Sequence, residues 1–274
     1  MIKYNNSNIN DWNFGDDNIA KVYYNGNMCY QKVSGIAPPA QLKARLKYDN
    51  YHDVTIECND DSLSRTEISQ PHGFEHITEA MVYSCALSIN DATFQDCSAL
   101  TYCTIESGVT NIGSYAFRRC SAITSIDIPD SVRIIGNYAF QDCLSLSSFT
   151  IPTSVANIQS GTFQGCSGLM RVTGLKGTIG ASAFTNCSSL TSIDISHVSS
   201  LSGYAFSDCS SLTAITCNQP SPPPMQTTGF WTGVGTSFNG SSCPIYVPSD
   251  RVTTYKTANG WKTYSSRIQA IPNS

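Results

Sequence analysis

The feature that most constrains the fold of this chain is a motif that returns every 21 to 23 residues. A phenylalanine opens each copy, and a cysteine follows it at the third position. Successive phenylalanines are separated by 23, 23, 23, 21 and 22 residues. A fixed period of about 20 to 50 residues indicates a solenoid or a related repeat architecture. The motif residues are Phe94, Phe117, Phe140, Phe163, Phe184 and Phe206, with Cys97, Cys120, Cys143, Cys166, Cys187 and Cys209.

One complete copy, residues 116–136, predicts how a single coil is built. Its first five residues favour a short helical or 3₁₀ turn with the phenylalanine pointing inward. An alternating apolar segment follows, as in a half-buried strand, and Pro129 ends it because proline cannot donate to a sheet ladder. A second short strand carries Val132 and Ile135, and Gly136 permits the turn into the next coil.

Stacking of such coils is required for stability. One coil cannot bury its apolar side chains alone, whereas adjacent coils share a continuous core. Each buried Leu, Ile or Phe contributes roughly 1.5–3 kcal/mol of transfer free energy. The sequence therefore predicts a β-rich solenoid with short parallel strands, in which the phenylalanines and cysteines form structural ladders.

The cysteine ladder has two interpretations, a metal or redox site and a column of small buried side chains. Zinc sites need ligands that converge on one point, often as Cys-x₂₋₄-Cys pairs, whereas these cysteines are spread along the solenoid axis. Free cysteine packs well as a small apolar residue. We therefore predict reduced thiols, with no metal and no cofactor. Cys217 and Cys243 lie outside the ladder, and whether they form a disulfide stays open.

The repeat resembles the BspA-like, or Treponema pallidum-type, leucine-rich repeat, with the pattern Ala-Phe-x-x-Cys-Ser-x-Leu-x-x-Ile-x-Ile-Pro-x-Ser-Val-x-x-Ile-Gly. The resemblance runs from about residue 80 to 217 and continues into residues 243–261, which are similar to the C-terminal cap of such proteins in gut Bacteroidales and their phages. It implies a leucine-rich-repeat fold and non-catalytic recognition, namely adhesion to host proteins, to other cells or to a surface. Two copies depart from the pattern, at residues 174–177 and 196–197, and are expected to change only the local curvature.

Four segments are predicted along the chain. Residues 1–36 form a β-hairpin attachment module around an Asn25-Gly26 turn, and residues 37–88 form a β segment and N-terminal cap. Residues 89–217 are the repeat solenoid, and residues 218–274 are a proline-rich connection and C-terminal cap. Within the second segment we expect a strand with Leu42, Ala44 and Leu46 to pair with one that carries Val54, Ile56 and Cys58.

The C-terminal segment is expected to close the last coil. Ser249 or Asp250 would cap a short helix that ends at Asn259-Gly260. Three apolar residues with the spacing of one helical face would cover the core, namely Trp261, Tyr264 and Ile268.

No catalytic site is predicted. His72 and His76 are four residues apart, but the residues that flank His72 are Pro71 and Gly73, which favour a surface loop. Asp127 and Asp194 lie three coils apart, and coils stack at about 4.8 Å, too far for a carboxylate pair that needs roughly 5–9.5 Å. Neither a phosphate-binding glycine loop nor a nucleophile elbow is present. We expect the protein not to be an enzyme.

Outward strand positions provide the candidate ligand-binding residues. Most are hydroxyl residues, which serve solubility and β propensity. Tyr102 and Arg171 are types favoured at interfaces, and a Gly/Thr-rich loop carries Phe230 and Trp231, since loops often carry function. One row consists of Thr104, Asp127, Thr150, Thr173, Asp194 and Thr216, and its neighbour of Tyr102, Ser125, Ser148, Arg171, Ser192 and Ala214.

Composition limits the partners. Only 13% of residues are charged and the formal net charge is -4, without the basic cluster that a nucleic-acid binder needs. No apolar run approaches the length of a membrane span. We expect the ligand to be a protein or a cell-surface glycan.

The N-terminus shows no recognisable export signal. Together with the reduced cysteines, this predicts a phage virion protein, such as a fibre, decoration or receptor-binding component, made in the host cytoplasm and contacting a bacterial surface. Other virion proteins would then be partners, and a homo-oligomer would suit virion symmetry. The alternative is a bacterial cell-surface adhesin that binds host or neighbour-cell proteins.

Overall fold

The computed structural model describes residues 23–24, 27–28, 42–48, 54–57, 62–68, 74–84, 86–225 and 237–272. The candidates His72, Phe230 and Trp231 lie outside these residues. At the N-terminus, strands β1 (Tyr23–Tyr24) and β2 (Asn27–Met28) pair antiparallel, as the Asn25-Gly26 sequence predicts.

An antiparallel pair precedes the solenoid. β3 (Leu42–Tyr48) pairs with β4 (Val54–Glu57), as predicted. The pairing is antiparallel, with Ala44 opposite Ile56 and Leu46 opposite Val54, while Cys58 lies outside the described residues. β3 also pairs antiparallel with β6 (Ile77–Val82), which pairs in parallel with β8 (Tyr102–Ile105) of the solenoid. These elements are β3 (Leu42–Tyr48), β4 (Val54–Glu57), β5 (Ser62–Leu63), α1 (Arg65–Ile68), a 3₁₀ turn (Phe74–His76) and β6 (Ile77–Val82).

Most coils of the solenoid have two short strands, and equivalent strands of most successive coils pair in parallel. This confirms the predicted β-rich solenoid. The second strand of the complete copy begins later than predicted, because Val132 lies in the turn before it. The strands are β7 (Ser88–Ile89), β8 (Tyr102–Ile105), β9 (Asn111–Ile112), β10 (Ser125–Asp127), β11 (Ile134–Ile135), β12 (Ser148–Thr150), β13 (Arg171–Thr173), β14 (Gly177–Ile179), β15 (Ser192–Asp194), β16 (Val198–Leu201) and β17 (Ala214–Thr216).

The Ala-Phe-x-x-Cys stretches form a third ladder between the coils. Bonds from residue i to i+3, such as Cys120 N–H to the Phe117 carbonyl at 3.2 Å, agree with the predicted 3₁₀ turn. The turn does not continue as a helix because Tyr115 and Arg119 take left-handed φ angles of 59° and 58°. Instead, the Phe117 amide donates to the Ala139 carbonyl of the next coil at 2.7 Å.

The core is a column of stacked rings, as predicted. The six motif phenylalanines are fully buried, and consecutive ring centroids lie 5.0, 5.3, 5.5, 5.1 and 5.0 Å apart. Phe238 extends the column by one ring, 5.8 Å from Phe206. The sequence pattern did not reveal Phe238, since no cysteine follows it at the third position.

The C-terminal cap differs from the predicted helix. Neither Ser249 nor Asp250 caps a helix, because both lie inside a 3₁₀ turn that begins after Pro248 and has no side-chain cap. Trp261, Tyr264 and Ile268 are buried as expected, but they do not share a helical face. The elements are β18 (Ile245–Val247), a 3₁₀ turn (Ser249–Arg251), α2 (Val252–Thr257), a 3₁₀ turn (Trp261–Tyr264) and β19 (Ile268–Ala270).

Two causes account for this difference. α2 ends at Thr257, ahead of the expected Asn259-Gly260, and Gly260 then takes a φ of 80° that separates α2 from the second 3₁₀ turn. Ile268 belongs to a further parallel strand, where it lies opposite Ile245. The cap therefore adds a coil to the solenoid rather than laying a single helix across it.

Candidate binding surface

The first strands of the coils form a face whose outward side chains run in two rows. Tyr102 of β8 lies opposite Ser125 of β10 and Glu79 of β6, and Thr104 lies opposite Asp127 and Met81. The register therefore agrees with the two predicted rows. It also lengthens each row by one residue at the N-terminal end, since β6 joins the same sheet.

Tyr102 and Asp127 are brought into direct contact. The Tyr102 hydroxyl donates a hydrogen bond to the Asp127 carboxylate, which raises the pKa of the Tyr102 phenol because the bond favours its neutral form. Tyr102 is 37% exposed, so its ring is held in one orientation while remaining open to solvent. Two candidates from the sequence thus form one unit.

Three further side chains surround this unit, and sequence reasoning missed them. Met81 is 37% exposed, and Glu79 forms an exposed ion pair with Lys47 of β3 at 2.6 Å. The sequence alone does not indicate that Lys47, Glu79 and Met81 share a face with Tyr102. Only the pairing of β3 with β6 and of β6 with β8 brings them there. We call Lys47, Glu79, Met81, Tyr102 and Asp127 the Tyr102 patch.

Arg171 and Asp194 are separate from the Tyr102 patch. Arg171 is exposed on β13 between Ser148 and Ser192, and within the described residues it forms no ion pair. The Asp194 carboxylate accepts a hydrogen bond from the Ser196 amide at 2.9 Å. Asp194 therefore stabilises the turn after β15. In this copy of the repeat, Ser196 and His197 stand where other copies have proline.

The ladder cysteines have a structural role. Each thiol from Cys120 onward donates to the carbonyl of the phenylalanine in the preceding coil, at 3.0 to 3.2 Å. Burial raises the pKa of the Cys166 thiol to about 12, so the reactive thiolate is scarce at neutral pH. Cys217 and Cys243, whose pairing the sequence left open, are both free.

The described part of the chain has neither a candidate metal site nor a candidate membrane-spanning helix. Among these residues, no group of three His, Cys, Asp or Glu side chains is placed to hold a metal ion. Within the same residues, no helix has the length and apolar character to cross a bilayer. His76 lies in the short 3₁₀ turn that precedes β6, while His72, the other histidine of the pair, is outside the described residues.

The comparison with sequence families gave one result. Residues 87–213 match, in six copies, the model of the family described as BspA type leucine rich repeat region. No curated protein matches the sequence.

The solved structures that match this chain include proteins from three bacteria. The T. pallidum leucine-rich repeat protein is 24% identical, with 57% of this chain and 77% of that chain aligned and a TM-score of 0.49. A leucine-rich cell surface protein from Faecalibacterium prausnitzii is 24% identical over 65% of this chain and 47% of its own, with a TM-score of 0.49. A leucine-rich repeat protein from Eubacterium ventriosum is 26% identical over 60% and 43%, with a TM-score of 0.49. The aligned part of this chain spans less than half the length of the latter two proteins.

Proposed function

We propose that this chain, whose residues 87–213 form a BspA-type leucine-rich repeat region, is a non-catalytic binding protein that recognises its ligand with the outward face of the parallel sheet. The observation that carries this proposal is the Tyr102 patch. Tyrosine and methionine are enriched where proteins bind each other. Tyr102 and Met81 are both exposed on the same face of two paired strands, with Met81 two residues along from Glu79, the residue opposite Tyr102. A side chain held by a hydrogen bond loses little entropy on binding.

The shape and charge of the face indicate the class of ligand. Short strands in register give a shallow surface, whereas small metabolites are usually enclosed in a deep cleft. The Tyr102 patch offers an aromatic ring, a thioether and both signs of charge. We therefore propose a protein or a cell-surface glycan as the ligand, bound without chemical conversion.

The biological setting that we propose is a phage virion, in which the chain contacts a bacterial surface. Buried, unpaired thiols suit a protein that folds in a reducing cytoplasm before assembly. Other virion proteins would be its partners, and a homo-oligomer would follow from virion symmetry. A bacterial cell-surface adhesin is the alternative. Tail or capsid genes beside the coding gene support the virion, whereas an encoded secretion signal supports the adhesin.

The binding function is tested with the purified chain on glycan arrays and on intact bacterial cells. For a ligand found in this way, Tyr102→Ala should raise the dissociation constant at least about tenfold, as for a hot-spot residue. Tyr246 provides a matched control, since it occupies an equivalent outward position on β18, in the second sheet of the same strand face. Tyr246→Ala should change the constant less than about threefold.

Three outcomes would contradict the proposal. If the chain binds no cell or glycan, the proposed recognition role is wrong. If Tyr102→Ala and Tyr246→Ala change the dissociation constant equally, the Tyr102 patch is not the binding site. Release of reducing ends from a glycan by the purified chain would contradict the non-catalytic assignment. Arg171→Ala, measured in parallel, decides whether the ligand also reaches β13.

A further inference from the structure

Both sheets of the solenoid are interrupted at the same junction between two coils. On the strand face, one sheet ends at β10 and the next begins at β12. On the other side a sheet ends at β11, and in the following coil Ile158 bridges only onward, to Ile179. Within residues 86–225, which the structure describes without a gap, no backbone hydrogen bond joins β10 to β12. The turn ladder nevertheless continues across, from the Phe117 amide to the Ala139 carbonyl.

The side chain of Phe149 accounts for this interruption. It is the largest residue at its inward position, where other coils carry Cys103, Ile126, Val172, Ile193 and Ile215. Its ring packs edge-on against Phe163 of the following coil, with centroids 4.6 Å apart, and lies 5.2 Å from Phe140. The ring therefore packs toward the following coil, and β10, which pairs with β8 on its other side, has no strand partner in β12.

An open groove with both apolar and polar lining lies between the two strands. Its volume is about 660 Å³. Ile126 and Ile128 on one wall are only partly buried, whereas the equivalent Ile193 and Ile195 are buried. The other apolar groups of the groove come from three coils and are Ile105, Pro129, Phe149, Ile151 and Pro152.

Two carboxylates border this groove. Asp127 accepts the Tyr102 hydroxyl, and Asp130 accepts the amide and hydroxyl of Thr153 at 2.9 and 3.0 Å. Neither carboxylate forms an ion pair within the described residues. The nearby ammonium of Lys176 donates to the Thr153 carbonyl. The groove thus combines uncovered aliphatic groups with two negative charges that lack a cationic partner there.

We propose that the groove between β10 and β12 binds a segment of a protein partner that presents an aliphatic side chain flanked by basic residues. The aliphatic group lies against Ile126 and Ile128, and the long basic side chains reach back to Asp127 and Asp130, since Lys and Arg can lay their stems along apolar surface. This inference rests on the proposed binding function and specifies its partner. It differs from the Tyr102 patch alone in requiring a cation.

The experiment uses three peptides blocked at both ends, Arg-Ile-Arg-Ile-Arg, Arg-Ser-Arg-Ser-Arg and Glu-Ile-Glu-Ile-Glu. Each is titrated into the full chain labelled with ¹³C at the isoleucine δ1 methyl groups. We expect saturable shifts of Ile126 and Ile128 with the first peptide, and at least about tenfold weaker binding of the other two. Ile134, which is 54% exposed on β11, reports non-specific contact. Its signal should not move.

Variants test the role of the charge. Asp127→Asn should weaken the binding of the Arg-Ile peptide at least about threefold, and this difference should become smaller at high salt. Asp250→Asn removes another exposed carboxylate, in the cap, and should leave binding unchanged. Equal binding of the Glu-Ile peptide, or no saturable shift at Ile126 and Ile128, would overturn the proposal, as would peptide-independent dimerisation through the groove.

The two proposals can fail separately. The peptide titration needs no natural ligand, so its failure beside Tyr102-dependent binding of cells or glycans removes only the groove. The opposite result is that the chain binds no cell or glycan but its isoleucine methyl groups respond to the Arg-Ile peptide. That result would support the groove as a peptide-binding site and contradict the proposed recognition of cells or glycans by the sheet face.

Discussion

At the scale of single residues, the thiol of a ladder cysteine is the second hydrogen-bond donor to a buried backbone carbonyl. Without the thiol, that carbonyl would accept only one hydrogen bond. The Phe117 carbonyl accepts the Cys120 amide of its own turn at 3.2 Å and the Cys143 thiol of the next coil at 3.1 Å. A thiol is small and largely apolar yet still donates weakly. This combination explains why the position carries cysteine where alanine would also fit.

Cys143→Ala should therefore lower the free energy of unfolding by about 1–2 kcal/mol, because a buried carbonyl loses a donor and a small cavity opens. Cys103→Ala is the matched control, since Cys103 is equally buried but its thiol makes only a distant contact of 3.9 Å. The loss of unfolding free energy for Cys103→Ala should be smaller than that for Cys143→Ala by about 0.5–1 kcal/mol. Urea denaturation followed by circular dichroism measures both. A larger loss for Cys103→Ala would refute the role of the thiol as a donor.

The buried thiols also predict loss of stability at alkaline pH. Burial raises the pKa of Cys166 and Cys209 to about 12, from an ordinary value near 9. Between pH 9 and 12 the unfolded chain releases these protons and the folded chain keeps them, so stability is full below pH 9 and falls as the pH rises. Each thiol lowers the free energy of unfolding by about 1.4 kcal/mol per pH unit in that window.

Urea midpoints at pH 8, 9, 10 and 11 give the slope. Cys166→Ala removes one of the titrating groups, so its stability should fall less steeply above pH 9 than that of the parent chain. Parallel slopes for the two proteins would show that the Cys166 thiol does not contribute to the pH dependence.

At the scale of elements, the turn ladder depends on which side chains occupy its left-handed positions. Tyr115 and Tyr138 stack with centroids 5.3 Å apart, and the next coil has Gly161 at the equivalent position with a φ of 62°. A Cβ atom at Gly161 would lie 2.1 Å from Cε1 of Tyr138. The glycine therefore provides the space that the Tyr138 ring fills.

Gly161→Ala should cost about 1–3 kcal/mol of stability, because the new methyl group displaces the ring and strains a left-handed residue. Combined with Tyr138→Ser, it should cost less than the sum of the two single changes, since the clash is absent. Ser182→Ala, at the equivalent position one coil on, should change stability by less than about 0.5 kcal/mol. Strict additivity in thermal denaturation would refute the steric explanation.

The C-terminal cap is fixed by hydroxyl and indole groups that hold the proline-rich connection. The Tyr255 hydroxyl donates to the carbonyls of Gln219 and Ser221 at 3.1 and 3.2 Å, and the Trp261 indole donates to the Pro223 carbonyl at 2.8 Å. Tyr255→Phe should therefore lower stability by about 1–3 kcal/mol. Tyr246→Phe, on the outward face of β18, should have almost no effect. Equal melting temperatures for the two variants would contradict this function of Tyr255.

These elements show where sequence reasoning succeeded and where it stopped. The 23-residue period was sufficient to predict the ring column and the outward rows, because one coil repeats the environment of the last. The spacing of Trp261, Tyr264 and Ile268 was misleading, since a 3₁₀ turn followed by a strand buries the same positions as a helix. Met81 escaped notice because β3 and β6 join the face only through tertiary pairing.

At the scale of the whole molecule, the solenoid consists of two parts whose strands do not pair with each other. The turn ladder, the ring column and a few hydrogen bonds beside the strands join them, among them Ser147 amide to Thr124 carbonyl at 3.4 Å and Thr153 amide to Asp130 carboxylate at 2.9 Å. No strand pairing crosses between β10 and β12 within residues 86–225. Phe117 and Phe140 still stack at 5.3 Å across the junction, and the Arg119 amide donates to the Gln141 carbonyl at 2.7 Å. The strand side of the junction therefore has fewer hydrogen bonds between the coils than the strand sides of its neighbours, where whole strands pair.

Hydrogen exchange should reveal this difference directly, because amides without a ladder partner exchange through small local openings rather than global unfolding. Peptides that cover residues 122–130 and 145–153 should take up deuterium at least about tenfold faster than those covering residues 168–175 and 190–197. Peptides of the turn ladder, residues 115–120 and 138–143, should remain protected, which excludes general loosening of these coils. Phe149→Val removes the ring to which we attribute the interruption, so it should slow exchange at residues 122–130 even though it lowers overall stability. Unchanged exchange in that variant would mean that Phe149 does not cause the opening.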